Sequence, residues 1–154
     1  MKYLRVSLCL GATMLLAGSA FGQEKQISET DLPSAVQKTV GEQSKGAAVK
    51  GFSKEMENGK PSYEVQLMVN GHSKDVSMDA DGNVTEVEEQ VALDQLPSAV
   101  KAGLQAKAGH GKITKVESLT KQGSVVAYEA QVMKSGKHSE IQVGPDGKPL
   151  NHEE

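Results

Sequence analysis

The sequence predicts an α+β protein built of two tandem repeats, each one helix followed by an antiparallel three- to four-stranded meander. Three observations carry that expectation. Leu-Pro-Ser-Ala-Val occurs twice, at Leu32–Val36 and at Leu96–Val100. Tyr63-Glu64-Val65-Gln66-Leu67-Met68 alternates apolar and polar residues, and Tyr128-Glu129-Ala130-Gln131-Val132-Met133 matches it. Period two with one polar face predicts strands with one face on a core and one near water. Finally, Asn58-Gly59, Asn70-Gly71, Asp81-Gly82 and Asp146-Gly147 punctuate the apolar runs where strands should reverse.

The first repeat is assigned to residues 27–89. Residues 23–29 are polar apart from Ile27 and are expected to fray. Asp31 is a candidate cap for a helix opening at Leu32-Pro33, where proline loses no helical hydrogen bond. Leu32, Ala35, Val36 and Val40 give that helix an apolar face, and Gly46 should lie beyond its end. Strands are expected at Val49–Met56 and Ser62–Val69. Asn70-Gly71 suits a type I′ hairpin turn, because both residues tolerate positive φ. The return strand should run over Ser73–Met78, and a short last strand over Val84–Val87. Glu86, Glu88 and Glu89 then read as an exposed boundary.

The second repeat, 91–152, restates this order with an offset of 64. Asp94 or Gln95 precedes a helix containing Leu96, Ala99, Val100 and Leu104, which should end by Gly109. Ile113 matches Val49 and Gly123 matches Gly59. From Tyr128 onward the offset is 65, so one residue has been added. The expected place for it is the turn, with Ser124–Ala127 replacing Lys60–Ser62. A period this long is a domain-sized module rather than a solenoid unit.

Residues 1–22 read as a secretory signal. Lys2 and Arg5 precede an apolar run, and Gly18, Ser19 and Ala20 supply small residues for cleavage. The run is too short to span a bilayer, and no membrane anchor is expected after cleavage. Export places the mature chain in the periplasm or outside the cell. Cleavage would remove Cys9, the only cysteine, and Arg5, the only arginine. The mature chain then has no thiol for a disulfide, a metal or a nucleophile. Net charge moves from −3 to −5, because Lys2 and Arg5 leave and no acid does. An acidic chain without arginine, with Phe52, Tyr63 and Tyr128 as its only aromatics, is not built for nucleic acid.

Candidate chemistry is sparse. Asp79-Ala80-Asp81-Gly82-Asn83 resembles a calcium loop at first sight, but its glycine falls fourth rather than sixth. A tight turn explains it better. His72, His138, His110 and His152, with Met68 or Met133, are the residues a copper or zinc site would use. They lack metal-ligand spacing, and solvated histidines are expected. Glu88-Glu89 and Glu153-Glu154 are adjacent acids rather than a facing catalytic pair. Ser34 and Ser98 sit in first helical turns, and no nucleophile elbow surrounds either. Tyr63 and Tyr128 are in phase with aliphatic neighbours and should pack beneath their helices. No catalytic, metal-binding or cofactor-binding set is assigned, and no cofactor is expected.

The Leu-Pro-x-Ala-Val helix start, the Tyr-Glu strand, the glycine hairpin and the Asp-x-Asp-Gly turn resemble the PepSY-like family, also described as β-lactamase-inhibitor-like. The resemblance covers nearly all of the mature chain as two copies. It implies secreted or periplasmic modules in which a helix packs on an antiparallel sheet. It also implies binding or restraint of another protein, such as a peptidase, rather than catalysis. The expectation is therefore an exported, non-enzymatic binding module with a protein or peptide partner. The competing expectation is a small-ligand or metal-binding periplasmic sensor that uses the hairpin histidines.

Overall fold

The computed structural model describes residues 24–152 and residue 154. The expected signal segment 1–22 lies outside the described residues, as does Glu153. The chain is α+β, with two helices and one eight-stranded antiparallel sheet whose spatial order equals its chain order. Strand β1 is Lys25–Ile27. Helix α1, Ser34–Gln43, precedes β2 (Ala48–Glu57), β3 (Lys60–Val69), β4 (His72–Asp79) and β5 (Val84–Gln90). Helix α2, Ser98–Ala108, precedes β6 (Lys112–Lys121), β7 (Ser124–Lys134) and β8 (Lys137–Val143).

Both helices lie on one face of the sheet. Val36 and Val40 of α1, with Leu32 before it, are buried against Tyr63, Val65 and Leu67 of β3 and Val76 and Met78 of β4. Val100 and Leu104 of α2, with Leu96, are buried with Val116, Ala130 and Val143. Each such valine, leucine or methionine contributes about 1.5–3 kcal/mol when fully removed from water. The two apolar clusters share no residue. Tyr63 is in the first core and Tyr128 packs against the second, as their phase predicts.

Four hairpins of one type set the register. Asn58-Gly59, Asn70-Gly71, Gln122-Gly123 and Ser135-Gly136 all have positive φ at both residues. That is the pattern of a type I′ turn, whose twist matches that of the flanking strands. The Asp-Gly turns do something else: they dock on the helices. Thr39 Oγ1 donates to the carbonyl of Gly82 at 2.7 Å. A Cβ on Gly82 would stand 2.6 Å from the Ala35 carbonyl oxygen, and one on Gly147 would overlap that of Ala99.

Five expectations need correction. Asp31 does not cap α1. It closes a 3-10 turn at Glu29–Asp31, where its Oδ2 accepts from the Ser28 amide at 3.0 Å. Neither helix has a side-chain cap, and Pro33 and Pro97 occupy the cap positions. Residues 25–27 form a strand rather than fraying, paired with Phe52–Lys54 of β2. The longer turn expected at Ser124–Ala127 is not there, since the β6–β7 turn has two residues like the β2–β3 turn. The chain bulges in β7 instead, where Leu119 pairs with Ala127 but Thr120 pairs with Val125. The last strand of the first half does not stop at Val87. It continues to Gln90 and pairs with β6.

Candidate functional site

The fifth correction follows from β5. Glu86 and Glu88 are not a solvated boundary: they are strand residues, half-buried, on the sheet face away from the helices. Alternation puts Glu64 of β3, Asp75 of β4, Glu88 of β5, Glu117 of β6 and Glu129 of β7 on that same face. Asp75 is directly opposite Glu88, and Glu117 is directly opposite Glu129. Like charges in facing positions oppose strand pairing. One carboxylate oxygen from each of Asp75, Glu88 and Glu117 lies within 4.8 Å of the others.

Two ammonium groups reach the middle of this row. Lys115 Nζ is 2.6 Å from Glu117, which is almost fully buried. Lys121 holds Glu86 at 3.1 Å and Glu154 at 3.6 Å. Neutral partners complete the row. Ser73 Oγ lies 3.4 Å from Glu117, and Gln90 accepts from the Ser73 amide at 3.2 Å. Gln66 donates to Glu64 at 3.1 Å, and Gln142 donates to Glu129 at 2.9 Å. Leu119, opposite Glu88 across the β5–β6 pair, is buried and helps to strip water from it.

The electrostatics follow from that environment. Burial pushes Glu64 up to about 7, helped by the charge on Asp75. Burial also raises Asp75 to about 6; Glu117 adds to the rise and Lys115 opposes it. Glu88 rises furthest, to about 8, through burial and then the charges of Glu86 and Glu117. Desolvation and like-charge neighbours both disfavour the carboxylate form.

The residues singled out from sequence behave differently. His72, His110, His138 and His152 are all exposed, and none joins the carboxylate group. Met68 and Met133 are half-buried strand residues. The Asp79 loop is a self-satisfied turn. Its Oδ1 accepts from the amides of Asp81 and Asn83 at 2.9 Å each, and its Oδ2 accepts from the Asn83 side chain at 2.9 Å. Those bonds hold Asp79 below the usual carboxylate range. An open groove beside β1, about 510 Å³ in volume, runs past Ile27, Lys54 and Met56. Its lining includes none of Glu64, Asp75, Glu88 or Glu117.

The acid row can repel, take up protons or attract cationic groups. In composition it could take a hard cation, which favours carboxylate oxygens, but the Lys115 ammonium already neutralises Glu117.

Comparison with known proteins agrees with this architecture. Residues 61–148 match the family model described as "Putative beta-lactamase-inhibitor-like, PepSY-like". The chain belongs to that family. It is similar in fold to a crystal structure described as a putative periplasmic protein from Bacteroides eggerthii, with a TM-score of 0.64 at 21% identity, covering 78% of this chain and 86% of that one. A DUF2874 family protein from Bacteroides ovatus gives 0.61 at 18% identity, covering 78% and 85%. A BLIP-like protein from Bacteroides fragilis gives 0.57 at 22%, covering 77% and 84%. No curated protein matches the chain. Among the described residues no helix is long and apolar enough to cross a membrane.

Proposed function

We propose that this protein is an exported, non-enzymatic binding module of the bacterial cell envelope, which holds a protein or peptide partner on the helix-free face of its sheet. The carrying observation is the asymmetry of the sheet: both helices cover one face, and the other presents a row of half-buried polar and acidic side chains. Membership of an inhibitor-like family supports the reading, as do solved relatives described as periplasmic. The signal-like segment 1–22 supports export to the periplasm or beyond. The four histidines are exposed, and the one group of three potential metal-ligating side chains among the described residues contains none of them, so the protein-binding reading is the one we adopt.

We also infer that the two halves, 27–89 and 91–152, arose by duplication. Both Asp-Gly turns press on the first turn of the preceding helix, at Ala35 and at Ala99. Strand bulges fall at equivalent places, between Val49 and Gly51 and between Ile113 and Lys115.

Site-specific photocrosslinking in the cell envelope tests the binding reading. A crosslinker at Gln66 or Ser77, on the acidic face, should give one discrete product that excess unlabelled protein competes away. A crosslinker at Lys38 on α1 should give none. No competable product from the acidic face would overturn the proposal.

A further inference from the structure

Only one strand pair joins the two halves of the sheet. Five residue pairs, Glu86↔Lys121 through Gln90↔Glu117, form the β5–β6 seam. On the helix side the α1 and α2 cores share no residue: Val87 of β5 packs on the first, and Val91, just beyond β5 with its amide donating to the Val116 carbonyl at 2.9 Å, packs on the second. The seam's helix-side pairs are Val87↔Thr120 and Glu89↔Ser118, and Ser118 Oγ reaches the Glu89 carbonyl only at 3.4 Å. On the other side stand Asp75, Glu88 and Glu117, contributed by β4, β5 and β6. The one strand pair that joins the two halves therefore has carboxylates crowded across it.

We propose that this seam is a proton-responsive joint, held closed while Asp75 and Glu88 carry protons beside Glu117 and loosened when those protons leave. Charged and polar groups face it from several elements. Glu64 approaches from β3, Asp75 and Ser73 from β4, and Glu86, Glu88 and Gln90 from β5. Lys115, Glu117 and Lys121 approach from β6, Glu129 from β7, Glu154 from the chain end and Glu24 from the segment before β1. Among the described residues Lys115 pairs with Glu117, and Lys121 is shared by Glu86 and Glu154 rather than given to Asp75 or Glu88.

The sign follows from the titrations. Glu88 keeps its proton to about pH 8 in the closed sheet, against an ordinary value of 4.5. Asp75 keeps its own to about pH 6, against 3.8. The closed state therefore binds more protons than the open one between these limits. Its advantage is complete below the ordinary values and is lost as pH rises through the raised ones. A change of pH across this window would alter how rigidly the two halves present the acidic face.

Amide hydrogen exchange on the full chain, expressed as protection factors at pH 6 and pH 8.5, tests the joint. Protection at Val87–Gln90 and Glu117–Thr120 should fall about tenfold or more, since one differentially bound proton is worth tenfold per pH unit. The cores of β3 and β7 should hold their protection. In the double variant Asp75→Asn, Glu88→Gln the seam should change less than about threefold, having no proton to lose there. Unchanged seam protection in the native protein would overturn the proposal. So would an equal loss in the variant, or an equal loss throughout the cores. If the double variant does not fold, Glu88→Gln alone is read in the same way.

Discussion

The two faces of the sheet solve the same packing problem with opposite materials. Beneath the helices, Val65, Val76, Val100 and Leu104 are fully buried and wholly apolar. On the other face, Glu64, Asp75 and Glu88 are half-buried carboxylates with displaced titrations. The first face stabilises the fold through area removed from water. The second gives up stability by crowding like charges in a partly dry place. A polar face kept at such a cost is where a binding protein would carry its specificity, and the contrast can be broken from either side.

The largest effect should come from the helix face. Leu104→Ala removes a fully buried side chain that α2 places against β6, β7 and β8. The loss of burial and the cavity left behind should cost about 2–5 kcal/mol, read from urea unfolding. Gly147→Ala should follow closely. Gly147 has φ of 77°, and its Cβ would run into the Ala99 carbonyl of α2. Left-handed strain together with overpacking should cost about 2–4 kcal/mol. Both costs should be nearly independent of pH, since neither site titrates.

The acidic face should answer less strongly. Lys115→Met removes the ammonium held 2.6 Å from nearly buried Glu117. Lys115 is itself partly exposed, so the full cost of orphaning a buried charge is discounted to about 1–3 kcal/mol at pH 7. Unfolding in moderate and in high salt checks the origin. A cost that survives high salt belongs to the buried carboxylate rather than to a screened surface pair.

How much of this contrast the sequence discloses depends on the range of the interactions behind it. The helix face is legible, because local spacing defines it. Leu-Pro-Ser-Ala-Val starts each helix, Val36 and Val40 fall one turn apart, and Tyr63 is in phase with Val65 and Leu67. Asn70-Gly71 fixes the β3–β4 register and so places Asp75 beside Gln66. The acidic row is not legible in the same way. Glu88 meets Asp75 only because β5 runs on to Gln90, and meets Glu117 only because β5 chooses β6 as its neighbour. That choice joins segments about thirty residues apart, and no local pattern encodes it. A weak signal was present: Glu86, Glu88 and Gln90 continue a period of two beyond Val87. Adjacent Glu89 breaks the alternation, and the run then reads as a solvated boundary. Asp31 failed differently. Its side chain had two uses within reach, and the Ser28 amide and hydroxyl won it. Where the matching of the two tyrosine strands points to a longer turn, β7 bulges instead, an outcome that sequence alone cannot distinguish from a longer turn.

The smallest predicted effect has the most informative sign. Glu64→Gln keeps the shape of the side chain and removes its charge at a site on β3, away from the β5–β6 seam. Glu64 titrates near 7 in the fold, chiefly because it is buried, against an ordinary 4.5. The native protein gains from this group in acid and loses that gain as pH rises through 7. The variant has nothing to ionise, so it should match the native protein at pH 4. At pH 8 it should be more stable by at least about 1 kcal/mol, counting only one pKa unit of the rise from 4.5 to about 7. Gln66, which donates to Glu64 at 3.1 Å, can still donate to the amide oxygen of the new side chain. Urea unfolding at the two pH values measures the difference. A variant less stable than the native protein at pH 8 would mean that the Glu64 charge is neutralised by a group other than those facing it, and that the acidic face is stabilised rather than strained. Seam protection in the same variant should still fall between pH 6 and pH 8.5, because Asp75, Glu88 and Glu117 are untouched, and that separates strain across the whole face from the joint itself.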